Sequence, residues 1–389
     1  MFLDIHALHT LPYSNVNRDG LGSPKSCIYG GVQRIRVSSQ SWKRAARLQV
    51  ESQIGSPTLR TRQIAATVAK QLVEQENWGT DDARRAGRAI VQAYGLTPED
   101  ADDITKVLLW LPYTVLDELA TLAIEHRDLI RTLSLPELDE KGKSKRLSKD
   151  EKDKRDEAAR AAVALLKEPV TRILNERNAT IALLGRMLAD TPDHTVDGAT
   201  EVAHAFTVHE AAPDFDYFTA VDDLAPNSGA GHLATAEFAT GTFYRYSTIN
   251  VTQFDEQLAD HETARQVIAA WVRTFLTVVP SGKKNSTAAN TAPDLVYIAV
   301  RNSPLSLAAG FEKPISTSGF GYLDRAVDVL NDYTTRLHRF LGDDGLWSGY
   351  AGTIDTKLPA LGDPHESLDK LVQHSCDAVF GTLPVEASS

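Results

Sequence analysis

The sequence predicts an α+β fold in which a sheet domain is interrupted by a helical insertion. Three observations carry this: strand-like alternation near the N-terminus, helical patterning from about residue 60 to 178, and alternation again after about residue 180. Residues 2–8 and 33–37 read as strands, joined by a Gly-, Ser- and Asn-rich loop. Ser38 and Ser39 are N-cap residue types, so a helix is expected over about 39–50. Within the insertion, Thr97-Pro98-Glu99-Asp100 has the form of a capping box with proline at the first helical position, and Val107–Leu111 continues as an apolar stripe. Residues 139–160 hold nine basic and seven acidic residues and no aromatic, which reads as a solvated, mobile connection between helices.

Strand character is expected again at 181–187. The aromatic and acidic stretch 199–235, with Pro213, Pro226 and the turn Gly229-Ala230-Gly231, reads as an extended hairpin or long loop. Phe238–Val251 alternates, with Phe243, Arg245 and Ser247 on one face and Tyr244, Tyr246 and Thr248 on the other. Val267, Ile268, Trp271, Val272, Phe275 and Leu276 mark a core-facing helix. Leu295–Val300 is apolar on both faces, as a covered central strand would be, and a last helix is expected at about 322–340. The tail through Ser389 carries few signals.

Composition narrows the function. The 389 residues are 42% hydrophobic and 24% charged, ordinary for a globular protein, and no apolar run is long enough to span a membrane. MFLDIHALHTLP has no basic n-region, so a secretory signal is not expected, and the two cysteines, Cys27 and Cys376, fit a reducing cytoplasm. Net charge is −11, yet Gly20–Val50 contains Lys25, Arg34, Arg36, Lys43, Arg44 and Arg47 and no acid. That window is +6, leaving −17 for the rest. A strand leading into a serine-capped helix, with Lys43, Arg44 and Arg47 along it, is a pattern that can cradle phosphates.

The same stretch closely resembles the start of the CasC proteins, the repeated backbone subunit of the type I-E CRISPR surveillance complex, Cascade. The shared residues are Asn17-Arg18-Asp19, Gly30-Gly31, Arg34, Arg36, Ser38-Ser39-Gln40-Ser41 and Lys43-Arg44. Similarity returns in IALLGRM (181–187), VAHAFTVHE (202–210), DYFTAVDDL (216–224) and FYRYSTIN (243–250), and weakens at about 55–175 and after about 340. The resemblance implies a discontinuous ferredoxin-like, RRM-related palm (1–55, 180–198 and 236–389), a helical fingers insertion (56–179) and a protruding thumb hairpin (199–235). It implies a non-catalytic subunit that polymerises head to tail along CRISPR RNA, beside other Cascade subunits, and presents the guide to target DNA. Arg18, Lys25, Arg34, Arg36, Ser38, Ser39, Gln40, Lys43, Arg44 and Arg47 would then grip the guide. Phe206 and Thr207 match family positions where a hairpin displaces a base, and Met187 matches an apolar wedge, although methionine is as readily a core residue. Lys283 and Lys284 are further candidate phosphate contacts. No RNP1 string occurs, so base stacking on the sheet is not expected.

An enzymatic reading finds little support. HExxH, GxSxG, GxxxxGK[ST] and paired CxxC motifs are missing, and no cofactor or metal is implied. Gly229-x-Gly231-x-x-Ala234 matches a dinucleotide fingerprint only formally, because no apolar strand leads into it. His204 and His209 lack metal-ligand spacing and suit packing or partner contact, while Asp222-Asp223 reads as an exposed acidic edge. Asp19 is the one alternative with a chemical role. Related backbone subunits of RNA-targeting complexes cut with an aspartate in this loop, whereas here Asp19 is expected to partner Arg18.

Overall fold

The computed structural model describes residues 1–99, 102–136, 149–187, 195–221, 230–316, 319–342 and 345–381. It divides into two compact units, Met1–Ile54 with Gly198–Ser389, and Gly55–Asp197. The first is an α+β unit. Its chain runs β1 (Phe2–Ser14), β2 (Ser26–Tyr29), β3 (Val32–Val37) and α1 (Ser39–Ile54). The second unit contains β4 (Thr58–Thr61), α2 (Ile64–Glu76), α3 (Thr80–Ala93), β5 (Leu109–Pro112), α4 (Val115–Glu125), α5 (Arg127–Arg131), α6 (Lys149–Leu174) and α7 (Ala179–Leu184). The first unit resumes with β6 (Thr200–Val202), β7 (Ala205–Thr207), β8 (Asp214–Val221), β9 (Ala230–Asn250), α8 (Val251–Leu258), α9 (His261–Thr277) and α10 (Lys284–Thr287). It closes with β10 (Leu295–Arg301), α11 (Leu323–Leu341), β11 (Gly345–Gly352), β12 (Asp363–Pro364) and α12 (Leu368–Phe380).

The large sheet has the order β12-β11-β10-β1-β9-β7-β3-β2, with β6 and β8 also paired to β9. β1 lies between β10 and β9, antiparallel to both, and β9 is antiparallel to β7. At the central strands β1 and β10 both faces are covered, so apolar residues there are buried whichever way they point. On one side α1 packs on α9, and α9 on α12. Here the Arg245 guanidinium lies 3.8 Å from the Trp42 ring centroid and donates to His9 Nδ1 at 2.8 Å, to Leu276 O at 3.1 Å and to Phe275 O. On the other side Tyr244, Tyr297, Leu307, Phe311, Val327 and Leu330 share one core. Asp4 is buried in this layer, accepting from Tyr246 Oη at 3.0 Å and from Leu305 N–H at 2.9 Å.

β9 serves two structures in sequence. From Ala239 onward it pairs with β1, whereas Asp214↔Phe238 through Val221↔Ala230 form a two-stranded hairpin with β8. Residues 222–229, with Asp222-Asp223 and most of the expected Pro226/Gly229 turn, lie outside the described residues. Ala234 lies within β9, so the fingerprint Gly229-x-Gly231-x-x-Ala234 continues along an extended antiparallel strand where a dinucleotide site needs a helix.

In the second unit, Val68, Leu72, Ala86, Ile90, Leu119, Leu166 and Val170 belong to one buried cluster. A Cβ on Gly87 would come within 2.2 Å of Ala65 O, so only glycine lets α3 approach α2 this closely. Three expectations fail in this unit. Thr97, Pro98 and Glu99 start no helix, Asp100 lies outside the described residues, and Glu99 and Asp103 close a turn (Asp103 N–H to Glu99 O, 3.0 Å), with Asp103 held by Arg84 and Arg88, both at 2.6 Å. The stripe at Val107–Leu111 runs into β5, paired with β4. Residues 181–187, expected as a strand of the palm, begin as helix α7, capped by the Asn178 side chain on Ile181 N–H, and nearly all of 180–198 falls in this unit. Of the charged tract 139–160, residues 139–148 lie outside the described residues and Lys149 begins α6.

Candidate nucleic-acid interface

The site grows from the loop between β1 and β2. Asn15 Nδ2 donates to Gly22 O at 2.8 Å and to Glu237 O at 2.7 Å, pinning the loop to the base of the hairpin. Asn17 Oδ1 accepts from Ser38 N–H at 2.8 Å, and Lys25 N–H donates to Asn17 O at 3.0 Å, so the loop folds back onto the start of α1. Between these anchors Val16–Gly22 and Gly282 line an open recess of about 570 Å³. Arg18 is exposed on its rim. Asp19 Oδ1 accepts from Leu21 N–H at 2.8 Å and Ser23 N–H at 3.0 Å, so the carboxylate caps its own loop, and no Arg18–Asp19 pair forms, correcting the expected partnership.

At the head of α1 the cations divide into two groups. Arg36 donates its Nε–H to Ser26 O at 3.2 Å, and its backbone N–H binds Lys25 O at 2.8 Å. Burial, then the charges of Arg36 and Lys25, hold the His204 imidazole below its ordinary pKa. The neutral ring accepts from Ser39 N–H through Nδ1 at 3.2 Å. Gln40 and Arg44 are exposed beyond it. Arg18, Lys25, Arg36 and Arg44 are thus cations with solvent-accessible surface around one loop and one helix start.

The other predicted cations are absorbed by the fold. Arg34 is fully buried and donates to four carbonyls, those of Tyr29 (3.2 Å), Thr207 (2.8 Å), Phe311 (3.1 Å) and Glu312 (3.2 Å). Gly30 lies directly under Glu312, where its φ of +62° and a Cβ only 1.7 Å from Glu312 O exclude any side chain. Arg47 turns inward and pairs with Glu51. Lys43 points to β6, donating to Thr200 O at 3.3 Å, and burial pulls its pKa below the ordinary lysine value while Glu201 opposes. Ser38 is buried, and its N–H and that of Ser39 are spent on Asn17 and His204. Two N–H groups at the head of α1 are therefore used within the chain, where the expected phosphate cradle would leave them open.

Phe206 and Thr207 form β7 inside the large sheet rather than a projecting tip. Phe206 packs edge-on against Tyr29 with ring centroids 5.0 Å apart, and Thr207 is fully buried, its Oγ1 donating to His209 O at 2.9 Å. His209 stacks on Tyr322 at 3.6 Å. Exposed aromatics sit instead on β8, at Phe215, Tyr217 and Phe218. Met187, which is 83% exposed, is no core methionine. Lys283 lies 5.8 Å from the Phe238 ring centroid and Lys284 is exposed at the start of α10, beside the Gly282 wall of the recess. Asn15, Asn17 and His204, which organise the site, are what residue-type reasoning undervalued. Among the described residues no group of three or more metal-ligating side chains occurs, and no helix is long and apolar enough to cross a membrane.

The family whose sequence model describes a CT1975-like protein matches residues 3–374. Among solved structures, a chain of a "CRISPR RNA-guided surveillance complex, pre-nicking" is 42% identical, with 97% of this chain and 100% of that chain covered and a TM-score of 0.86. A chain of a second "CRISPR RNA-guided surveillance complex" is 38% identical at the same coverage, with a TM-score of 0.76. Comparison with curated proteins gives no match.

Proposed function

The chain belongs to the CT1975-like protein family, and from that premise we propose that it is the guide-carrying backbone subunit of a type I-E Cascade complex. It binds CRISPR RNA without cutting it, assembles head to tail with copies of itself and with other Cascade subunits in the cytoplasm, and holds the guide for pairing with target DNA. The observation that carries this reading is the cluster Arg18, Lys25, Arg36 and Arg44 on an otherwise acidic chain, around a loop anchored by Asn15 and Asn17. Such a rim meets phosphates and leaves bases free, which a carrier of arbitrary guide sequence requires.

The architecture fits the role. Strands β10-β1-β9-β7, with crossover helices α1 and α9 packed together, have the order of a ferredoxin-like βαββαβ palm. Gly55–Asp197 would be the fingers, and β8 with the first half of β9 the thumb. Met187 and the Lys283-Lys284 loop are secondary guide contacts in this reading.

The test is the salt dependence of guide binding. Replacing Arg18, Lys25, Arg36 and Arg44 by Gln should weaken RNA binding equally for all sequences and flatten the log–log slope by about two to three units, at ~0.7 per contact on a single strand. An unchanged slope would remove this rim as the guide site.

A further inference from the structure

His204 stands at an irregularity in the large sheet. From Val202↔Ser247 to Phe206↔Tyr244 its chain advances four residues while β9 advances three, so one extra residue is taken up between β6 and β7. Such a bulge re-aims a side chain. The β3–β7 register, Arg36↔Phe206 and Val37↔Ala205, continues to set His204 level with Ser38 at the head of α1. Ala205 is buried, whereas His204 is exposed. The imidazole there accepts from Ser39 N–H of α1 and lies within the field of Arg36 on β3 and of Lys25 in the loop before β2.

The bond from Ser39 fixes the tautomer. Ser39 N–H donates to Nδ1 at 3.2 Å, so Nδ1 offers a lone pair and the single ring proton is on Nε2. An imidazolium would have no lone pair for Ser39, and partial burial, then Arg36 and Lys25, also oppose that form. Among the described residues the Nε2–H of this exposed ring has no hydrogen-bond partner. One nitrogen is thus committed to α1, and the other is an uncharged donor of fixed orientation beside two cations. The oxygens such a donor meets on a nucleic acid of arbitrary sequence are those that recur at every nucleotide, on phosphate and ribose.

We propose that His204 is a further guide contact, donating its Nε2–H to a backbone oxygen of the RNA while Ser39 N–H holds the ring through Nδ1. The proposal rests on the guide-carrier reading above and adds to it a contact without charge. A neutral donor displaces no counterion, so His204 strengthens binding without steepening its salt dependence, in contrast to Arg18, Lys25, Arg36 and Arg44.

The test separates the two nitrogens in the full-length chain, with a short RNA that one copy fills. His204→Asn keeps an acceptor near the Nδ1 position for Ser39, and its shorter amide does not reach the place of Nε2. It should keep the wild-type denaturation midpoint and bind RNA about three- to tenfold more weakly, the worth of one net hydrogen bond, with an unchanged log–log salt slope. His204→Gln carries an amide N–H to the Nε2 position and leaves Ser39 without its acceptor. It should lower the midpoint yet, at a temperature where both variants are folded, bind RNA more tightly than His204→Asn. The same RNA with 2′-fluoro in place of every 2′-hydroxyl identifies the oxygen: an Asn deficit that persists assigns phosphate, and one that disappears assigns the ribose hydroxyl. Wild-type affinity in His204→Asn overturns the proposal alone. So does a flattened slope in that variant, which would mean a charged ring, or an equal loss in His204→Gln, which would mean that the ring acts only through the packing of α1. A wild type that binds no RNA overturns the guide-carrier reading as well.

Discussion

Arg47 and Glu51 stand one turn apart on the inward face of α1 and form an ion pair at 3.2 Å, with side chains only 6% and 5% exposed. A guanidinium held this way belongs to the buried face of α1 and is not offered to a ligand. It separates Arg47 from Arg44, three residues earlier and exposed, although the sequence sets both in the same basic window.

The two arginines should therefore fail differently. Arg47→Ala takes the guanidinium away from the buried Glu51 carboxylate and should cost about 3 kcal/mol in chemical denaturation, with the salt slope of RNA binding unchanged at temperatures where the variant is folded. Arg44→Ala should leave stability within about 0.5 kcal/mol and lower the slope by ~0.7.

Arg34 makes a second separation of structure from binding. Its fork reaches four carbonyls from three segments, which a lysine ammonium cannot match in geometry. Arg34→Lys should destabilise the fold by about 2 kcal/mol, read as a lower denaturation midpoint, because buried carbonyls lose donors. Equal stability would mean that the clamp is redundant.

The positions that misled sequence reasoning have physical explanations. The basic window stopped at Val50, one residue short of the acid that neutralises Arg47. The capping box at Thr97–Asp100 is locally sound and is overridden by Arg84 and Arg88, whose grip on Asp103 is a tertiary fact. Phe206 and Thr207 look like loop residues because β7 is three residues long, and its pairing with β3 and β9 spans long sequence separations. By contrast β1, β3, β10, α1, α9 and α11 were legible, since period-2 or period-3.6 patterning is written in adjacent residues. Helix α12 was legible too and was missed: Ser367 caps it, and Leu371, Val372, Cys376 and Val379 keep a helical period.

Buried histidines should set the acid limit of stability. Burial, reinforced by Arg301 for His6 and by Arg245 for His9, lowers both to about 3, against an unfolded value of 6.5. Below pH 6.5 the unfolded chain binds protons that the native chain refuses, so stability present above that pH is lost as pH falls toward 3. Each histidine should contribute a slope of up to about 1.4 kcal/mol per pH unit. Asp4, raised by burial, acts in the opposite sense where it titrates, so the informative quantity is a difference. His6→Leu should flatten the denaturation midpoint against pH between 6.5 and 5 relative to the wild type, and parallel curves would show that His6 does not contribute.

Asp19 provides a test of chemistry. Its Oδ1 is occupied by two loop N–H groups, which direct it into the loop. Assembled complex incubated with complementary RNA and Mg²⁺ or Mn²⁺ should leave that RNA intact. Regularly spaced cuts that disappear in Asp19→Ala would establish an RNA-cleaving subunit.

The last prediction concerns where a deletion of the hairpin can be made. Val208 and His209 are buried, with Val208 N–H bonded to Thr242 O at 2.9 Å and His209 stacked on Tyr322, so a cut beginning there would damage the sheet. The separable part runs from Asp214 to Phe238, the register over which β9 pairs with β8 and not with β1. Phe238 itself packs on Tyr13 at 4.8 Å and should be kept. Glu237, whose carbonyl anchors Asn15, should be kept as well, so replacing 214–236 by a short Gly/Ser linker should leave the unit folded, with a denaturation midpoint near that of the wild type, and leave short-RNA binding intact. Ordered loading of a long RNA should be lost. If the hairpin crosses the guide, periodic chemical reactivity of guide bases in the wild type should vanish in the deletion; persistence of the same period would assign the kink to another segment, with Met187 the first to examine.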